Sequence, residues 1–161
     1  MGSREASRSD EDEGDRLDRE LLELLNEVRV IMPGVQLLFG FLLTVPFQQG
    51  FTRIDDFQRM TYFVTLLLTA GAAAFLMAPT AFHRLTFRLG QKPYLVRLGT
   101  RQTIAGLALL ALAMNGAILL LTDILFHDTM VVITVAATGA LFFWLWFGLA
   151  FVRRISGRTE W

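Results

Sequence analysis

The sequence predicts an all-α membrane protein with four transmembrane helices and a cytoplasmic N-terminal amphipathic helix. Three observations predict this class. Apolar residues make up 53% of the 161 positions, they are gathered into four blocks with almost no charge inside, and basic residues are shared unequally among the connecting segments. A bilayer core of roughly 30 Å is crossed by about 20 apolar helical residues, and each block is close to that length.

The four blocks are expected to be helical because every backbone polar group in hydrocarbon must pair within its own segment. The blocks comprise residues 30–47, 60–79, 104–121 and 130–152. Together they form a predicted transmembrane domain over residues 30–152, followed by a short cytoplasmic tail at 153–161.

The distribution of basic residues predicts the orientation. Of the 15 Lys and Arg residues, only Arg53 and Arg59 lie between blocks one and two, and none lies between blocks three and four. The other 13 would be cytoplasmic if both termini are cytoplasmic. Because basic loops stay on the cytoplasmic side, we expect a multi-pass protein of the cytoplasmic membrane with both termini inside.

The N-terminal segment divides into two parts. Residues 1–15 are acidic, lack apolar periodicity and predict a disordered tail. Residues 16–29 predict an amphipathic helix, on the helical repeat of Leu17, Leu21, Leu24 and Val28. This apolar stripe either joins copies of the chain or lies against the membrane or the protein's own loops. The basic loop between blocks two and three is a better partner for its acidic face than anionic lipid.

The first block carries a proline near each end. Pro33 fits a first helical turn, and Pro46 is expected to end or kink the helix near Val45. One interpretation is a helix stop at the outer surface. The other is a broken helix whose freed carbonyls line a polar pathway, with the polar residues Gln36, Thr44, Gln48, Gln49 and Asn115. The alternative role for Asn115 is a hydrogen bond between helices.

Block two begins and ends with recognisable signals. Asp55 and Gln58 match a capping box, and Pro79 is expected to end the helix. Small residues recur on faces of blocks two to four, at Ala70, Ala74, Ala78, Ala108, Ala111, Ala136 and Ala140. Such faces let helices approach closely, so together with the N-terminal stripe they predict a homo-oligomer. Beyond block two, Arg84 and Arg88 are expected to contact lipid headgroups.

Asp123 is the strongest candidate for a functional residue, because it follows block three by two residues and the apolar residues 124–126 extend that span beyond it. His127 follows four residues later and can share its helix face. The pair is a candidate site for a proton or a monovalent cation, since an ionisable group in a membrane is often functional. The alternative is an interfacial acid that reaches water or closes an ion pair.

Several classes are disfavoured. Cysteine is absent and there are two histidines, so no metal site is expected. The chain carries no recognisable nucleotide-binding, protease or potassium-filter motif. We expect no enzyme activity, no cofactor and no nucleic-acid partner, and regard the lipid bilayer as the main partner.

Three runs of sequence resemble a family of small bacterial membrane proteins of unknown function. They are Pro33-Gly-Val-Gln36, Thr44-Val-Pro-Phe-Gln-Gln-Gly-Phe51 and Ala78-Pro-Thr-Ala-Phe-His-Arg84. The resemblance covers about residues 25–152 and implies the bacterial inner membrane. Some members are labelled sodium:proton antiporters, although well-known antiporters have more helices and carboxylates near mid-membrane.

The sequence leaves two hypotheses for the function. One is an oligomeric ion channel or proton-linked ion transporter. The other is a non-transporting scaffold or accessory subunit with a cytoplasmic partner.

Overall fold

The computed structural model describes residues 2–86, 92–126 and 129–148, and this part of the chain is almost entirely helical. The long helices are α1 (Gly2–Thr44), α2 (Asp56–Thr86), α3 (Lys92–Leu125) and α4 (Thr129–Phe143). Two short 3₁₀ helices, Val45–Phe47 and Gln49–Arg53, connect α1 to α2. A π-helical turn, Trp144–Gly148, follows α4.

In the described part of the chain, four helical segments are long and apolar enough to cross a membrane: Arg19–Phe47, Asp56–Phe82, Arg97–Leu125 and Thr129–Trp146. Many of their large apolar side chains are exposed, among them Val30 at 79%, Leu37 at 77% and Val132 at 68%. Exposure on this scale is unfavourable in water and is expected against lipid tails. These features are those of a multi-pass membrane protein, and the prediction of four helices long and apolar enough to cross a bilayer is confirmed.

Helix α1 is longer than the sequence indicated. It begins at Gly2 and continues through Pro33, so the expectation that Pro33 lies in a first turn is wrong. Residues 2–15, for which the sequence predicts disorder, belong to the same helix. An existing helix is extended at little cost, because the unfavourable nucleation step has already been taken. The predicted amphipathic helix is thus continuous with the first membrane-spanning helix rather than a separate element.

The chain forms two compact units, of which the first contains residues up to Gly40 together with Ala70–Ala108. Its core includes Leu21, Leu24 and Val28 of α1, which are at most 9% exposed. A Cβ added at Gly99 of α3 would lie 3.6 Å from Leu24 of α1 and 3.5 Å from Pro79 of α2. Of the two roles left open for the N-terminal stripe, the structure therefore favours packing within its own chain.

The second unit contains Phe41–Thr69 together with residues from Leu109 onward. Here α3 packs closely on α2, because a Cβ at Gly116 would collide with the Thr65 hydroxyl. Helix α4 packs on the same α3 segment, where Gly139 faces Asn115. Glycines at both contacts allow the backbones to approach closely.

The buried face of α2 differs from the expected one. Its buried residues recur at alternating spacings of three and four: Tyr62, Thr65, Thr69, Ala72, Leu76 and Pro79. The face of small residues is less buried within the chain, since Ala74 is exposed and Ala70 and Ala78 are only half-buried. Its contact in a homo-oligomer stays a prediction. Pro79 lies inside α2 instead of ending it. A proline inside a membrane helix is tolerated where neighbouring helices pack against it, as Gly99 does here.

Candidate functional site

Asp123 lies half-buried in the last turn of α3. Its Oδ2 accepts a hydrogen bond from Nε2 of Gln58, in the first turn of α2, at 2.9 Å. A carboxylate near a helix C-terminus faces the negative end of the helix dipole, so a donor from another helix stabilises it there. The sequence identified the acid but not its amide partner.

The Gln58 side chain also completes the start of α2. Its backbone N–H donates to Oδ1 of Asp55 at 2.8 Å, and its Oε1 accepts from the Asp55 N–H at 3.3 Å. These reciprocal bonds confirm the predicted capping box. The amide of Gln58 therefore uses its oxygen within the cap and its nitrogen on α3. A glutamine whose Oε1 is used in a capping box still has the Nε2 amide group free to donate. That unused donor is the signal in the sequence that could have suggested a partner on another helix.

The described residues do not include the charged partner predicted for Asp123. His127 lies outside them, so its pairing with Asp123 stays a prediction. Arg59 lies 3.5 Å from Oδ1 of Asp56 in an exposed ion pair. What the described geometry provides at Asp123 is a carboxylate with a neutral amide donor, a group able to exchange a proton or to attract a monovalent cation.

Asn115 makes the predicted hydrogen bond between helices. Its Oδ1 accepts from the hydroxyl of Thr138 on α4 at 2.7 Å. The same hydroxyl lies 2.8 Å from the Thr134 carbonyl oxygen. A Cβ at Gly139 would lie 3.1 Å from Nδ2 of Asn115, so both polar ends of the amide contact α4.

The end of α1 behaves as a helix stop. The helix ends at Thr44, as expected from Pro46. Because proline has no N–H, the carbonyl of Leu42 lacks its usual helical donor. The Tyr62 hydroxyl takes that place, donating to the Leu42 oxygen at 2.9 Å. The Thr44 hydroxyl donates to the Phe41 oxygen at 2.7 Å, so both carbonyls are satisfied by side chains.

The remaining predicted pathway residues are exposed, namely Gln36, Gln48 and Gln49. Among the described residues no hydrogen bond joins any two of the five predicted pathway residues. Whether they line a pathway stays a prediction. The side chain of Arg84 and the whole of Arg88 lie outside the described residues, so their headgroup contacts also stay predictions.

Two buried threonines on α2 were not anticipated. Thr65 and Thr69 are 1% and 0% exposed. Their hydroxyls donate to carbonyls one turn earlier, Thr65 to Thr61 at 2.7 Å and Thr69 to Thr65 at 2.8 Å. A threonine satisfied by its own helix can be buried like an apolar residue. The signal in the sequence was their spacing of four residues, which places both threonines on the same face of α2.

Comparison with known proteins places the chain in a family without giving it an activity. No significant match was found among curated proteins or among solved structures. The model of a family of unknown function (DUF6328) matches residues 10–150. This match covers most of the 161 residues and includes all four membrane-spanning segments. The chain therefore belongs to the DUF6328 family, a family of unknown function.

Proposed function

We propose that this protein is a non-transporting membrane scaffold or accessory subunit whose N-terminal helix presents an acidic face to a cytoplasmic partner. The observation that supports this most strongly is the continuity of α1, which has 43 residues. At 1.5 Å per residue such a helix is about 64 Å long, roughly twice the hydrocarbon thickness of a bilayer. About half of α1 would therefore extend out of the membrane.

The extending part of α1 has one face already in use. Leu21, Leu24 and Val28 are buried against the chain's own helices. On another face Glu23 and Glu27 are exposed, and Glu20 precedes them by one turn with its carboxylate 3.0 Å from Arg16. An acidic face of this kind is repelled by anionic lipid and is complementary to a basic protein surface.

The polar side chains of the spans support a structural role. Asn115 is bonded to Thr138, Tyr62 to the Leu42 carbonyl, and Thr65 is pressed against Gly116. Each of these groups contacts a neighbouring segment of the chain, and the glycines beside them let the helices approach closely. This arrangement favours a packed helical support over a conduction path through one copy of the chain.

Site-specific photo-crosslinking in cells tests the scaffold proposal. A photoreactive residue at position 23 or 27 should form a discrete protein adduct, and the same residue at position 37, on the lipid-facing side of α1, should not. With the photoreactive residue at position 27, Glu20→Gln and Glu23→Gln combined should abolish the adduct, while Arg53→Gln should leave it intact. Absence of a discrete adduct at both acidic positions would contradict the proposal.

A second candidate is an oligomeric ion channel or proton-linked ion transporter, favoured by the half-buried carboxylate of Asp123. Several copies around a shared axis would supply the polar space that one copy lacks. Reconstitution in liposomes loaded with a pH-sensitive dye tests it, together with mass measurement in lipid discs. Flux that is lost in Asp123→Asn, in a preparation that is oligomeric, would support transport. No flux under proton or monovalent-cation gradients would exclude it.

A further inference from the structure

An open groove of about 540 Å³ lies within the second unit, at the start of α2. It is lined by Pro46, Phe51, Asp56, Arg59, Met60, Tyr62 and Phe63. One wall is a single face of α2, since positions 56, 59, 60 and 63 follow the spacing of helical neighbours. The other wall comes from the two 3₁₀ helices, through Pro46 and Phe51.

The floor of the groove is held in place by two contacts of Tyr62. Its ring meets Phe51 edge-on, with centroids 5.1 Å apart at an interplanar angle of 76°. Its hydroxyl is bonded to the Leu42 carbonyl at 2.9 Å. Tyr62 is only 6% exposed, so it is fixed by surrounding structure and does not close the groove by swinging into it.

The polarity of the α2 wall changes along the helix axis. Asp56 begins both α2 and its membrane-spanning segment, which puts it at the level of lipid headgroups. Arg59 follows about 4.5 Å further along and Phe63 about 10 Å further along, at 1.5 Å per residue. The groove therefore runs from an acid, through a base, to apolar side chains.

We propose that this groove binds a phospholipid of the surrounding bilayer that carries an ethanolamine headgroup. The order of groups in that lipid is ammonium, phosphate and acyl chain, which matches Asp56, Arg59, and then Met60 and Phe63. The Asp56–Arg59 pair, 3.5 Å apart, complements a zwitterion. A lipid with a net negative headgroup has no ammonium group to balance the negative charge of the Asp56 carboxylate. A primary ammonium donates hydrogen bonds to a carboxylate, which a quaternary choline cannot do.

Native mass spectrometry of the purified full chain tests the proposal. The protein is incubated with equal amounts of phosphatidylethanolamine and phosphatidylglycerol that carry identical acyl chains. We expect one phosphatidylethanolamine molecule to be retained, several-fold more often than phosphatidylglycerol, under collisional activation that removes other lipids. Asp56→Asn should bring the ratio of the two lipids close to one. Arg59→Gln should reduce retention of both lipids by several-fold.

Two further variants distinguish the groove from unspecific lipid contact. Arg53→Gln removes an exposed cation of the same connecting segment that does not line the groove, and it should leave retention unchanged. Met60→Trp fills the groove without changing charge and should remove the retained lipid. Equal retention of the two lipids by the wild-type protein would overturn the proposal. So would an equal loss in Arg53→Gln, or a persistent lipid in Met60→Trp.

Discussion

Gln58 and Asp123 join the first turn of α2 to the last turn of α3 through one hydrogen bond, from Nε2 to Oδ2 at 2.9 Å. The same glutamine accepts the Asp55 N–H through its Oε1. One amide thus serves a helix cap and a contact between helices. Each function uses a different atom, so substitutions can separate them.

Exchanging the two side-chain types tests this bond. Gln58→Glu keeps an acceptor for the cap but loses the donor and brings two carboxylates together, so it should lower the free energy of unfolding by about 1 kcal/mol. Adding Asp123→Asn should restore most of the loss, because the new amide can donate to the new carboxylate. Thermal unfolding in detergent measures both. Equal stability of the single and double variants would show that the pair contributes nothing.

A second prediction concerns the hydrogen bond to the carbonyl of Leu42. Tyr62→Phe removes the hydroxyl that donates to the Leu42 carbonyl oxygen. It should lower the free energy of unfolding by about 1–2 kcal/mol, the cost of an unsatisfied buried acceptor. In a Pro46→Ala background the same substitution should cost much less, because an alanine at that position has the backbone N–H that a helix uses. A double-mutant cycle on the unfolding free energy measures the difference. Additive effects would contradict this account of Tyr62.

Two glycines provide a matched test of close helix packing. A Cβ at Gly106 would lie 2.7 Å from Cγ of Leu76, whereas one at Gly40 meets nothing within 4 Å. Gly106→Ala should therefore destabilise the first unit by about 1–3 kcal/mol through overpacking. Gly40→Ala should be neutral or stabilising by up to about 1 kcal/mol, because alanine favours the helix. Similar melting temperatures for the two variants would contradict the packing at Gly106.

The orientation predicted from the basic residues can be tested in intact cells, because the chain has no cysteine of its own. Gln49→Cys, in the exposed connection between α1 and α2, should react with a membrane-impermeant thiol reagent added outside. Glu23→Cys, on the exposed face of α1, should react only after the membrane is opened. The reverse pattern would invert the topology and remove the cytoplasmic partner from the scaffold proposal.

The class of fold follows from the amino-acid sequence alone, because apolar length is a property of composition and the bilayer imposes the helix. Four membrane-spanning helices, the Asp55–Gln58 cap and the stop before Pro46 all depend on residues close together in the chain. Local chemistry of that kind is readable without coordinates. For Asn115 the sequence offered two roles, a polar pathway or a hydrogen bond between helices, and the structure shows the hydrogen bond.

The faces that meet and the partners that polar groups choose depend on tertiary packing. Hydrophobicity cannot select the buried face of a helix that is apolar all round, so the Tyr62–Pro79 stripe was missed in favour of Ala70, Ala74 and Ala78. Pro79 was expected to end α2, because the sequence around it does not show that Gly99 of α3 packs against it. For the same reason the partner of Asp123 could not be read locally: Gln58 lies 65 residues away in the chain, and only packing brings the two together.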